Sequence, residues 1–92
     1  MNKERRKQIL KAKSKLSAAE DLKYILESVR DDLESVKDDE DSARENTPES
    51  LQETDRYFAS EDASDRLYMA IDSIDSAIGE IENAISELDE IE

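Results

Sequence analysis

Between Leu67 and Leu88 the strong apolar residues fall at Leu67, Ile71, Ile74, Ile78, Ile81, Ile85 and Leu88, alternately four and three apart. This is the seam of a heptad repeat. With strong apolar residues at about a fifth of all positions, filling seven seam sites in a row by chance is on the order of one in 10⁵ per register. Ala63, Ala70, Ala77 and Ala84 recur every seven residues beside the seam, giving an apolar face three positions wide per heptad. A small third position lets a neighbouring helix approach closely and suits packing beyond a strict two-stranded seam. Ser60 is a good N-cap, and Glu61 and Asp62 follow it where the helix macrodipole favours carboxylates. The spacing therefore predicts a helix over about 61–90.

The first half carries a second stripe: Ile9, Ala12, Leu16, Ala19, Leu22, Leu26, Val29, Leu33 and Val36, with Leu10 and Ile25 widening the face. With no Gly or Pro before Pro48, one long helix over about 2–41 is the economical reading. Ser17-Ala18-Ala19-Glu20 has the form of a capping box and offers the alternative of a separate basic arm followed by a second helix. An acidic connector, 42–59, lies between the two stripes. The run Asp38-Asp39-Glu40-Asp41 just before it should help end or fray the first helix by self-repulsion. Thr47-Pro48 reads as an N-cap followed by proline in the first turn, predicting a short helix near 48–55 anchored by Leu51. The expected fold is all-α, a single domain over 1–92. It is an antiparallel helical hairpin of two long helices with a short connecting helix and coiled-coil-like packing.

Charge changes this picture in two ways. The 92 residues include 26 Asp plus Glu and 13 Lys plus Arg, a net charge of -13. Leu, Ile, Val and Phe total only 19, close to the level at which highly charged chains stay disordered, so order depends on the concentration of these residues on two seams. The charge is also unevenly placed. Residues 1–16 hold seven bases (Lys3, Arg5, Arg6, Lys7, Lys11, Lys13, Lys15) and one acid, Glu4, while 67–92 hold no base at all. Both clusters oppose the dipole of their own helix. An antiparallel arrangement relieves both by placing the basic start against Glu80, Glu82, Glu87, Asp89, Glu90 and Glu92, an effect on orientation more than on stability. A solvated basic tail for phosphates is the competing account, opposed by the overall negative field.

The absence of Cys and His removes disulfides, thiolate or imidazole metal ligands and the commonest catalytic nucleophile and base, and no enzyme is expected. No apolar run reaches membrane-spanning length and no secretory signal is apparent, so a soluble, intracellular protein is expected, with no membrane partner. Asp38-Asp39-Glu40-Asp41 lacks the glycine and terminal Glu of a calcium loop. Asp72 and Asp75 share a helix face, resembling the acidic helices of all-α nucleotide pyrophosphohydrolases. The second acidic motif of that family is missing, so a solvated face is the simpler account, and neither a metal nor a cofactor is expected.

Partner binding is left as the function class to examine. Arg56, Tyr57 and Phe58 place an Arg and two aromatics in the connector, where they either cover the end of the core or anchor a partner. The acidic candidates are Asp38, Asp39, Glu40, Asp41, Glu49, Asp72 and Asp75. From Ser60 to Glu92 eleven acids face one base, Arg66, about one net charge per 5 Å of helix against one per 1.7 Å in duplex DNA.

The string Asn46-Thr47-Pro48-Glu49-Ser50-Leu51-Gln52, the segment Ser60-Glu61-Asp62-Ala63, the Ala-Ile-Asp-Ser-Ile-Asp-Ser-Ala-Ile heptads and the opening Asn2-Lys3-Glu4-Arg5-Arg6-Lys7 together resemble small acidic helical proteins of phages and mobile elements of Gram-positive bacteria. The Pro-Glu-Ser-Leu-Gln segment is the distinctive part. The resemblance implies a phage context, where such proteins often inhibit host defence nucleases. The leading expectation is a non-enzymatic inhibitor or modulator that binds the basic nucleic-acid channel of a host enzyme, such as a CRISPR-type nuclease, with no direct nucleic-acid binding of its own. The alternative is a structural module that forms homo-oligomers, or pairs with a phage structural protein, through its Ala/Ile face.

Overall fold

A computed structural model describes residues 1–91. It is all-α, with no strand among the described residues: α1 (Lys3–Lys15), α2 (Ser17–Glu45), a 3₁₀ turn (Glu49–Leu51) and α3 (Asp55–Asp89). Asn2 caps α1 by accepting the Arg5 N–H at 2.8 Å. At the α1–α2 junction the long helix anticipated from sequence continues with a bend at Leu16. Leu16 keeps near-helical angles (φ -71°, ψ -14°), but its N–H turns to the Lys13 carbonyl, three residues back. The Ser17 hydroxyl does not cap; it donates to the Ser14 carbonyl at 2.9 Å, and Ser14 donates to Lys11 at 2.7 Å. Back-bonding of this kind bends a helix without ending it.

The middle of the chain differs more from expectation. α2 runs through the acidic run to Glu45, because Glu40 and Asp41 turn inward to partners on α2 and α3 and do not simply repel each other. Pro48 stands outside any helix with extended angles (φ -56°, ψ 143°), and the short helix near 48–55 reduces to the single turn Glu49–Leu51. α3 starts at Asp55, six residues ahead of 61. Its cap is Thr54, whose hydroxyl accepts from the Tyr57 N–H at 3.2 Å and donates to the Leu51 carbonyl at 2.9 Å. Ser60 therefore lies inside the helix, and Arg56, Tyr57 and Phe58 belong to the first turn of α3, outside the connector.

α3 lies back along α2 and the end of α1, forming a rod of 72 × 17 × 16 Å. The cross-helix pairs run in opposite chain directions: Lys13 with Asp89 (2.8 Å), Lys23 with Glu82 (3.6 Å) and Arg30 with Asp75 (2.9 Å). Among the described residues Lys13 is the one base of the first sixteen that reaches an acid of α3. Glu92, also anticipated there, lies outside the described residues. The core is thin. Ile71 and Ile78 are 8% and 6% exposed, and Leu67, Ile74, Ile81, Ile85 and Leu88 are half-buried.

On α2 the inward face is shifted from the apolar stripe. Leu16, Ala19, Leu26 and Leu33 line it, but Leu22, Val29 and Val36 are exposed. Their expected places are held by Lys23, Arg30, Lys37 and Arg44, which recur every seven residues and are all half-buried. The aliphatic stems of Lys and Arg cover the seam while their heads reach acids and hydroxyls along one flank.

Gly79 lies inside α3, and a Cβ built there meets nothing within 4 Å. Gly79→Ala should therefore stabilise the protein by about 0.5–1 kcal/mol through lower backbone entropy in the unfolded chain and better helix propensity. The expected rise in melting temperature is about 2–8 °C, read by thermal circular dichroism.

Candidate functional site

The seam of α3 does not stop at Leu67. Continued toward the turn at the same spacing it passes through Ser64, Ser60 and Tyr57, and these polar positions face the end of α2. Ser64, 4% exposed, occupies the place an Ile fills one and two heptads later, at Ile71 and Ile78. Its hydroxyl donates to Asp41 Oδ1 at 2.7 Å and accepts from Arg44 Nη1 at 2.8 Å. Arg44 also donates to Asp41 Oδ1 through Nη2 (2.8 Å), and through Nη1 to the Ser60 carbonyl and hydroxyl (3.1 and 3.2 Å). Ser60 Oγ donates to Glu40 Oε1 at 2.6 Å, and Lys37 Nζ to Asp41 Oδ2 at 2.7 Å. No buried side-chain polar atom among the described residues lacks a partner.

Every titration shift in this cluster points away from neutrality. Hydrogen bonds from Lys37, then Ser64 and Arg44, hold the Asp41 carboxyl well below the usual carboxylate range. Asp41 in turn raises the pKa of both Arg44 and Lys37, in each case against a smaller desolvation effect. A fixed carboxylate between two fixed cations transfers no proton near pH 7; it locks the turn end of α2 onto α3.

Beside the lock lies a groove of about 650 Å³ lined by Glu40, Arg44, Pro48, Leu51, Arg56 and Tyr57, among others. It unites three of the sequence-derived candidates, Glu40, Arg56 and Tyr57. Asp41 does not line it and is bound into the network. Phe58 meets the Tyr57 ring edge-on, with centroids 6.1 Å apart and planes at 80°, and is itself 52% exposed. Asp38, Asp39, Glu49 and Asp72 are exposed, whereas Asp75 is held by Arg30, whose pKa it raises. Glu40, Asp41 and Asp75 are thus engaged within the chain. No group of three or more acidic side chains among the described residues is placed to hold a metal ion.

Along the rod the charge divides sharply. Residues 1–23 with 82–91, which form the end holding α1, contain eight bases and seven acids, close to balance. Residues 24–81, the half containing the turn, contain five bases and eighteen acids, the whole net charge of -13.

No protein-family model matches the chain. Curated proteins and solved structures likewise provide no significant match. No helix among the described residues is long and apolar enough to cross a membrane.

The periodic cations and the polar end of the seam are what a reading of apolar positions misses. The usable signal is Lys23, Arg30, Lys37 and Arg44 at a strict period of seven, facing Glu82 and Asp75 at the same period on α3.

Proposed function

We propose that this protein is a non-enzymatic inhibitor or modulator of phage type, acting in the cytoplasm of a bacterial host. Its scaffold is an antiparallel helical hairpin with coiled-coil-like packing. Its turn half engages a basic, nucleic-acid-binding surface on a host enzyme, a CRISPR-type nuclease being the candidate. The observation that carries this reading is the segregation of charge. Thirteen net negative charges fall on one half of a rod 72 Å long, about one per 3 Å and within a factor of about two of duplex DNA. Both helices contribute, which is why the density exceeds that of α3 alone. The contact residues are the exposed acids Asp38, Asp39, Glu49 and Asp72, with Arg56, Tyr57 and Phe58 supplying shape and apolar contact at the tip.

Competition tests this reading. Excess protein is expected to displace duplex DNA from the nuclease at low salt, with the complex weakening at least about tenfold between 50 and 200 mM salt. Asp38→Asn, Asp39→Asn and Glu49→Gln combined should weaken it further, while neutralising Glu87 and Glu90 in the charge-balanced half leaves it unchanged. DNA binding that persists at large excess of the protein rejects nucleic-acid mimicry for that enzyme.

A further inference from the structure

The two flanks of the rod differ in kind. One carries the ion pairs Lys13–Asp89, Lys23–Glu82 and Arg30–Asp75. The other is formed by the residues just before the inward positions on each helix: Leu22, Val29, Val36 and Ala43 on α2, and Ala84, Ala77, Ala70 and Ala63 opposite them on α3. Ile25 borders it. This flank has no charged residue at any of those eight positions, although charged residues make up 42% of the chain. Leu22, Ile25, Val29 and Val36 remain 40–59% exposed, and nothing else among the described residues lies over them.

From this we infer that the flank is a self-association surface, covered by a second copy of the chain lying antiparallel to the first, so that two rods form a four-helix bundle. Two observations select that occupant and that orientation. The first is area. The chain exposes 7149 Å², against about 5,400 Å² for a globular monomer of its 10.5 kDa mass. The excess, about 1,700 Å², is roughly twice the ~800 Å² that each partner of a standard stable interface covers. The second is charge. Rods aligned with their turns together set two halves of -13 against each other, whereas reversed rods set each acidic half against a half in which bases and acids balance. Lys11 and Lys15, exposed at the α1 end of the flank, then approach the acidic half of the other copy. An arrangement with a twofold axis across the rods also brings α3 against α3, where the alanines permit close approach, and α2 against α2 through Leu22, Ile25 and Val29. This inference is independent of the partner-binding proposal, since it uses the apolar flank and not the acidic tip.

Sedimentation of the full chain at concentrations up to about 1 mM is the decisive measurement. The expected species has about twice the 10.5 kDa chain mass. Val29→Asp, or Val36→Asp as a second variant, should weaken association at least about 100-fold by burying an unpaired charge. Helical circular dichroism should be unchanged, because both side chains are exposed in the single rod. Ser50→Cys, the only thiol in the molecule, allows donor and acceptor labelling at the turn. Antiparallel copies place the labels on the order of 70 Å apart, with weak energy transfer. A chain that sediments as a monomer throughout, an assembly that both aspartate variants leave intact, or strong transfer between turns overturns the inference.

Discussion

Ile78→Ala is expected to lower the melting temperature by about 8–24 °C, the largest effect of any single truncation in this chain. Ile78 and Ile71 are the two buried apolar side chains among the described residues, so each carries an unusual share of a narrow core. Large-to-small truncation of a buried Ile costs about 2–5 kcal/mol, depending on how far the surroundings collapse into the space. In a rod 16–17 Å across the site lies close to water and collapses readily, which favours the lower end, about 2–3 kcal/mol. At about 4–8 °C per kcal/mol for a domain of this size, that gives the stated shift. The same truncation at Val36, on the exposed flank, should cost well under 1 kcal/mol in the single rod. Thermal circular dichroism of the pair distinguishes the two positions, and equal shifts would put Val36 on the buried face of α2.

Asp41→Asn should lower the melting temperature at pH 7 by about 5–10 °C, since it removes the negative charge on which Lys37 and Arg44 converge. Its pH dependence identifies the cause. The Asp41 carboxyl has a lower pKa in the folded protein than the ~3.9 of an unfolded chain. Its contribution is therefore fully present above about pH 4 and is lost as pH falls below that value toward the depressed folded pKa. The gap between wild type and Asp41→Asn should be constant from pH 7 to about pH 5 and close below pH 4. The difference between the two proteins, and not the absolute stability of either, is the quantity to follow. A gap that is unchanged down to pH 2.5 would show that the carboxylate charge is not what holds the lock.

These two sites differ in how far they could be read beforehand. Ile78 stands in a heptad seam of seven consecutive matches, and a pattern of that strength leaves the helix and its inward face little freedom. Asp41 stands in a run of four acids that reads as a helix breaker. Its role depends on Ser64, twenty-three residues away, and on Arg44, whose inward direction is set by the packing of α2 on α3. The start of α3 differs from the expectation for a related reason: Thr54 and Ser60 both have cap chemistry. Thr54 prevails because its hydroxyl also serves the Leu51 carbonyl, while that of Ser60 is drawn sideways to Glu40 and Arg44. Leu22, Val29 and Val36 satisfy helical periodicity as well as Leu26 and Leu33 do. Periodicity alone does not tell which of two adjacent stripes turns inward.

The all-helical class, the seam of α3 from Leu67 to Leu88 and the opposed charges of the chain's two ends were all determined by residue order alone, because each depends on local spacing and composition. The tertiary structure decided which stripe of α2 is buried, that four periodic cations share the seam with leucines, and that hydroxyls and a carboxylate replace isoleucine near the turn. It also decided that the net charge gathers on one half of the rod while an apolar flank stays open. Each of these depends on which residues meet across two helices, and a small shift in register or rotation would reassign them all without altering either helix.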